Sequence, residues 1–321
     1  MNKPKVFLTR QLPAEVMARL REVSNLSNHP YDRALTKEEI IAGVKDKDAL
    51  LCLLTDQIDR EVLSANPDLK IVANYAVGYN NIDVYAAAEL GIPVSNTPGV
   101  LTETSADLAF GLMMAVSRRL VEADAFLRTG KWEGWGPLQF LGPDVHGATL
   151  GIVGMGRIGK AVAKRAKGFE MDVKYWNRTR LSEEEEQKEG WQYMPLSDIL
   201  SVSDFVSLHL AYTAETHHLI GAHELELMKS EAVLINTARG AIVDEKALVN
   251  ALAEDKIWGA GLDVFEHEPK VEKELLTMNN VVLLPHLGSA SVATRTKMGM
   301  IAIDNILAAW EGREIPNLVK P

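Results

Sequence analysis

The chain has 321 residues, of which 47% are hydrophobic and 24% charged, and a formal net charge of −10. That length supports two domains with separate cores, and the composition is globular rather than disordered. The acidic balance argues against nucleic acid as a partner, because phosphate backbones require a basic surface.

In chain order, residues 5–9 read as a first strand and 14–23 as a helix. Buried-looking strands follow at 49–54 and 70–75, with helical spacing over 59–65 between them; 92–95 comes after a helix stop at Gly91. One helix is then expected from about Thr102 to about Thr129, with Thr102, Thr104 and Ser105 as capping side chains. Residues 106–120 are apolar on most faces, which predicts burial between domains or subunits. A Gly-, Trp- and Pro-rich loop spans 130–142. From Ala148 a second series predicts strands at 149–153, 172–176, 205–210, 232–236, 259–264 and 281–284. The glutamates at 183–186 read as a solvated helix face, and 290–310 as a long helix packing back on the first domain.

The expected fold class is α/β: two Rossmann-like doubly wound parallel-sheet domains with a cleft between them. A substrate-binding, flavodoxin-like domain would comprise 1–99 plus 290–321. A dinucleotide-binding domain, with the dimerisation helix and loop, would comprise 100–289. The single cysteine, Cys52, excludes an intramolecular disulfide and fits a reducing compartment. No run approaches the roughly 20 apolar residues that span a bilayer, and the N-terminal apolar run is too short for a signal peptide. A cytoplasmic protein without a membrane partner is expected.

The strand 149–153 runs directly into Gly154-Met155-Gly156-Arg157-Ile158-Gly159 and then a helix-forming stretch. Gly154 permits a tight turn, Gly156 lets a pyrophosphate approach the backbone, and Gly159 lets helix and strand close together. Phosphates would rest on the helix N-terminus, where free N–H groups and the dipole favour negative charge. An NAD site usually ends its second strand in an acid for the ribose 2′-hydroxyl. Here that strand ends in Asn177-Arg178-Thr179-Arg180, and Asp172 stands at its wrong end. Two arginines can hold a 2′-phosphate through forked, charge-assisted hydrogen bonds, so NADP(H) is preferred and NAD(H) is possible.

Three further segments lie at the C-terminal ends of expected strands, where ligands bind in such sheets. They hold Asn236-Thr237-Ala238-Arg239-Gly240, Asp263 with Glu268-Pro269, and Pro285-His286-Leu287-Gly288. Singly, Arg239 could cap a strand, Glu268 could be solvated and His286 could be a core histidine. Together with the glycine turn, the order of these segments resembles the D-isomer-specific 2-hydroxyacid dehydrogenases over essentially the whole chain.

The resemblance implies that Arg239, Glu268 and His286 form the active site. It places Asp263 against the nicotinamide carboxamide, and lets Val77 and Gly78 offer backbone N–H groups to the substrate carboxylate. Thr102, Gly154, Gly156, Arg157, Ile158, Asn177, Arg178, Arg180, Thr237, Ala238, Asp263, His286 and Gly288 are the implied cofactor contacts. Leu53, Val77, Gly78, Arg239 and Trp135 are the implied substrate contacts. The chemistry is coherent: Arg239 can bind carboxylate and keto oxygen together, His286 can protonate the oxygen as hydride arrives at carbon, and Glu268 would favour the imidazolium.

Residues 52–56, 77–79, 99–104 and the tryptophan loop 131–138 resemble the glyoxylate/hydroxypyruvate reductase branch. That implies reduction of glyoxylate and hydroxypyruvate by a homodimer, in which Trp132 and Trp135 either complete the partner's substrate pocket or only pack a dimer arm. A 2-ketogluconate reductase and a non-catalytic cofactor sensor are the alternatives. The chain departs from the family at Ala211-Tyr212-Thr213, where a proline is common. His217, His218 and His267 lack companions at metal-ligand spacing and read as surface residues, and no metal is expected.

Overall fold

The computed structural model describes residues 3–320; Met1, Asn2 and Pro321, at the ends of the expected first domain, lie outside the described residues. The chain divides into two compact units, one running up to Leu101 and resuming at Ala290, the other Thr102–Ser289.

The first unit is built on β1 (Lys5–Leu8), β2 (Asn25–Asn28), β3 (Ala49–Cys52), β4 (Ile71–Asn74) and β5 (Val94–Ser95). All pairings are parallel and the order is β2-β1-β3-β4-β5, the flavodoxin-type arrangement. β3 and β4 are buried at every position, because helices cover both faces of such a sheet. β2 escapes the sequence reading since it carries one apolar residue and buries none; its register on β1 makes it a strand. The C-terminal helix Val292–Trp310, capped by Ser291, joins this unit, and its Gly299 lies so close to Val16 that a Cβ would come within 2.4 Å of a valine methyl.

The second unit carries β6 (Thr149–Val153), β7 (Asp172–Trp176), β8 (Gln192–Tyr193), β9 (Phe205–Leu208), β10 (Val233–Asn236), β11 (Gly259–Leu262) and β12 (Val281–Leu283). Their order, β12-β11-β10-β9-β6-β7-β8, reverses direction between β6 and β9. A ligand crevice is expected at that switch point, beyond the carboxyl ends of the strands. β9, β11 and β12 stop before the expected ends, and the residues released into loops include His209, Asp263 and Leu284.

The single helix expected over 102–129 is two, Thr102–Ser117 and Leu120–Arg128, separated by Arg119 at φ 48°. The first buries Ala106, Ala109, Leu112, Met113 and Val116; the second buries nothing. Gly142 folds back onto the break, where a Cβ would meet the Ser117 carbonyl oxygen at 1.9 Å. No helix among the described residues is long and apolar enough to cross a membrane.

Candidate functional site

β6 enters a turn in which Gly154 adopts φ 103°, and a Cβ there would lie 2.8 Å from the His209 carbonyl. At Gly159 a Cβ would strike the Gly154 oxygen at 2.2 Å, so turn and helix close on each other. Gly156 differs: nothing stands within 4 Å of where its Cβ would be. It precedes the helix Arg157–Ala166 and supplies no side-chain cap, so the first N–H groups face outward beside exposed Arg157 and half-buried Ile158. After β10, the Thr237 hydroxyl is buried without a hydrogen-bond partner, next to buried Ala238. Open space at Gly156, an uncapped helix start and an orphaned hydroxyl fit an anionic dinucleotide.

Beyond β7, the Asn177 amide donates to the Thr179 carbonyl at 2.7 Å and shapes the turn; Arg178 is exposed. Arg180 is already engaged. Its Nε and Nη2 donate to Glu186 at 2.8 and 2.7 Å, and its guanidinium lies over Tyr193. Glu186 also accepts from the Tyr175 hydroxyl at 2.6 Å, and that hydroxyl accepts the Leu181 N–H. The run 183–186 is therefore not uniformly solvated. Glu183 and Glu184 are exposed and Glu185 pairs with Lys160, but the helix turns Glu186 inward to 8% exposure. Hydrogen bonds from Arg180 and Tyr175 hold the Glu186 carboxyl down at about 2. Burial, then the bond to Glu186, pushes Tyr175 up to about 12.

The Arg239 turn is set by Asn236, whose side chain accepts from the Ala238 N–H and donates to the Arg239 carbonyl, each at 3.0 Å. Arg239 donates from Nη1 to the Ala238 carbonyl at 2.6 Å. Burial lowers its pKa and the Glu268 charge opposes that. Gly240 must be glycine, because a Cβ would sit 1.8 Å from the Phe265 carbonyl carbon. This close approach brings the Arg239 turn against the loop that carries Glu268.

His286 adopts φ 56°, a left-handed conformation that a non-glycine residue holds only when its surroundings compel it. The compulsion comes from Asp263, which is 1% exposed. Its carbonyl accepts the His286 N–H at 2.9 Å, and its carboxylate accepts Leu287 N–H at 2.6 Å and Gly288 N–H at 2.8 Å. From the helix beginning at half-buried Thr102, Ser105 Oγ donates to the Gly288 carbonyl at 3.1 Å. Sequence reasoning gave Asp263 a cofactor role and missed this tethering one, since no local pattern links residues so far apart in the chain.

His286 Nδ1 lies 3.0 Å from Glu268 Oε2, and Glu268 Oε1 accepts the Phe265 N–H at 3.1 Å. Burial pushes the Glu268 carboxyl up, but His286, the Phe265 N–H and the Arg239 charge together leave it below the ordinary glutamate value. With Nδ1 turned to Glu268, Nε2 is the nitrogen free to meet a substrate. The side chains of His286 and Glu268 remain 25% and 32% exposed, so a small molecule can reach them.

In the first unit, the backbone around Val77 and Gly78 is anchored through its carbonyls. Ala76 O accepts from Thr97 N–H at 2.9 Å, Val77 O from the Asn96 amide at 2.8 Å and Gly78 O from the Asn74 amide at 2.8 Å. In a trans peptide the following N–H points the opposite way, so the N–H groups of Val77, Gly78 and Tyr79 face away from these anchors. That is the arrangement an anion needs. Leu53 is fixed similarly, its N–H on Asp56 at 2.8 Å and its carbonyl on Asn81 at 3.1 Å.

His209, counted within a strand by the sequence reading, lies just past β9, with Nε2 2.8 Å from Ser207 Oγ; burial pushes it down to about 3. The turn without proline is closed by Thr216, whose hydroxyl donates to Ala211 O at 2.9 Å and accepts Thr213 N–H at 2.8 Å. His217 and His267 are exposed, whereas His218 is half-buried, 2.8 Å from Glu266 and stacked on His217. No three His, Cys, Asp or Glu among the described residues could together hold a metal ion. Trp135 is 83% exposed and Leu138 82%, beside a helix, Leu120–Arg128, that buries no residue.

A family model described as "D-isomer specific 2-hydroxyacid dehydrogenase, NAD binding domain" matches residues 110–288. Proteins named glyoxylate reductase from Thermococcus litoralis and Korarchaeum cryptofilum are 51% and 53% identical, covering 99% of this chain in each case and 97% and 96% of their own lengths. A crystal structure of an NADPH-dependent glyoxylate/hydroxypyruvate reductase from Sinorhizobium meliloti, in complex with NADP and malonate, is 37% identical with a TM-score of 0.89, over 99% of this chain and 97% of that one.

Proposed function

The chain belongs to the D-isomer specific 2-hydroxyacid dehydrogenases, and from that premise we propose that it reduces small 2-keto acids with a nicotinamide cofactor, glyoxylate to glycolate and hydroxypyruvate to D-glycerate. The observation that carries this reading is the His286–Glu268 pair at 3.0 Å, beside half-buried Arg239. Relatives about half identical over their full length and named glyoxylate reductase support the substrate choice over an aldonate or a non-catalytic sensor role.

In the proposed reaction the bound cofactor supplies hydride. Arg239 holds the substrate carboxylate and keto oxygen with its planar guanidinium, which fixes the carbonyl carbon for attack. As negative charge builds on that oxygen, His286 Nε2 delivers a proton to it. Glu268, locked by the Phe265 N–H, orients the ring through Nδ1 and offsets the imidazolium charge. In the reverse direction neutral His286 accepts the hydroxyl proton at Nε2. Val77 and Gly78 are assigned to the substrate carboxylate, Leu53 to the substrate, and Asp263 to the nicotinamide end as well as to the His286 loop.

Phosphates are assigned to the helix start at Gly156, Arg157 and Ile158, and the adenosine ribose to Asn177, Arg178 and Arg180. NADP(H) is the proposed preference, with Arg178 as its main determinant because Arg180 is held by Glu186; NAD(H) is the weaker cofactor. The exposed apolar helix Leu120–Arg128 and Trp135 support a homodimer, and we assign the protein to the cytoplasm. Mixing purified protein with NADPH or NADH and, in turn, glyoxylate, hydroxypyruvate, pyruvate and 2-ketogluconate tests the proposal by loss of absorbance at the cofactor band. Fastest loss with NADPH and glyoxylate or hydroxypyruvate is expected. No loss with any keto acid would contradict it, and faster loss with NADH would overturn the cofactor assignment.

A further inference from the structure

Glu268 sits in the long connection between β11 and β12, most of which has no regular hydrogen-bond ladder to hold it. We infer that Glu245 is a positioning residue for the Glu268–His286 pair. Glu245 opens the helix Glu245–Ala253 behind its cap Asp244, and is only 6% exposed. Its Oε2 accepts the Glu266 N–H at 2.8 Å and its Oε1 accepts the Glu272 N–H at 2.9 Å. Those two peptides bracket Glu268 on either side. A carboxylate is buried at considerable cost unless its oxygens are satisfied, and here the backbone of one loop satisfies both.

The contact is reciprocated. Glu266 Oε2 accepts the Glu245 N–H at 3.4 Å, while Oε1 lies 2.8 Å from His218 Nε2 and 3.9 Å from His267 Nε2. His218 Nδ1 in turn lies 4.0 Å from Asp244. Glu266 therefore has histidine neighbours on one side and the Glu245 N–H on the other, while the Glu245 carboxylate meets the two loop N–H groups. On the catalytic side, His286 is faced by Glu268 and Asp263, and Glu268 by Arg239. Together with the close approach of Gly240 to Phe265, Glu245 fixes where Glu268 stands, and so how well it supports the His286 imidazolium.

The inference rests on the proposed roles of Glu268 and His286, and the test separates the two. Glu245→Gln keeps the shape but presents an amide N–H₂ to one of the two peptide N–H groups. A misplacement near 1 Å can cost about a hundredfold, so a partial loosening is expected to lower kcat for glyoxylate reduction roughly tenfold. KM should change by less than about threefold, and Glu245→Asp, which keeps the charge but shortens the reach, should recover part of the lost kcat. Thermal unfolding confirms that the variants are folded; if Glu245→Gln is not, Glu245→Asp is read against wild type on kcat and KM. Unchanged kcat, or a loss carried by KM instead of kcat, would overturn the positioning role. His286→Ala runs alongside: wild-type kcat in this variant defeats the assignment of His286 itself, whatever Glu245 does.

Discussion

The glycine turn after β6 and the loops after β11 and β12 both present backbone and side chains beyond the end of one sheet, yet they are built by opposite means. The turn depends on the absence of side chains: Gly154 and Gly159 admit close backbone contacts, and Gly156 leaves open space. The loops depend on a side chain placed from a distance. Asp263 reaches N–H groups 24 and 25 residues away and holds His286 in a left-handed conformation. A cradle of the first kind tolerates variation everywhere except at its glycines, whereas the second kind fails when one buried acceptor is lost.

Breaking the catalytic side should have the largest effect. Arg239→Ala is expected to lower kcat/KM for glyoxylate by about a thousandfold, in line with removal of a principal charge-stabilising donor, and Arg239→Lys should recover little of it. Steady-state kinetics at fixed pH reads this, and a loss under tenfold would remove Arg239 from the site. On the cradle side, Gly156→Ala should weaken cofactor binding about tenfold, some 1.4 kcal/mol, while leaving the melting temperature close to wild type. Gly154→Ala, at φ 103°, should lower the melting temperature instead. Fluorescence titration and thermal unfolding of the pair distinguish a ligand-facing glycine from a structural one.

The sheets were largely legible in the sequence because buried parallel strands are continuous apolar runs. The parts that were not legible share a cause. β2 and β8 lack an apolar pattern, and the break at Arg119 has no residue signature that separates 102–129 into two helices. Arg239, Glu268 and His286 could be named from their segments, but Asp263 as a tether could not, since the N–H groups that donate to it are brought within reach only by the folded loop. The glutamate run shows the same limit: composition makes 183–186 a solvated face, while helix phase turns Glu186 onto Tyr175 and Arg180.

That misread residue sharpens the cofactor end of the comparison. With Arg180 engaged by Glu186, Arg178→Ala should reduce the NADPH-over-NADH ratio of kcat/KM by about tenfold, the worth of one charge-assisted bond, and Arg180→Ala by about threefold or less. Equal effects would mean that Glu186 releases Arg180 to the ligand. The smallest expected effect is on acid stability. Glu186 titrates at about 2 instead of the ordinary 4.5, so its contribution is present above pH 4.5 and is lost as pH falls through about 2. Glu186→Gln should remove that contribution and flatten the acid side of a melting-temperature profile; a parallel profile would show that the pairing adds nothing.

The account rests most heavily on His286 as the proton donor held by Glu268. Its most direct test is the pH dependence of kcat for NADPH-driven glyoxylate reduction in wild type, Glu268→Gln and His286→Ala. The wild type should lose rate on the alkaline side, Glu268→Gln should keep that limb at about a hundredfold lower plateau, and His286→Ala should show no such limb. An alkaline limb in His286→Ala matching that of the wild type would contradict the account.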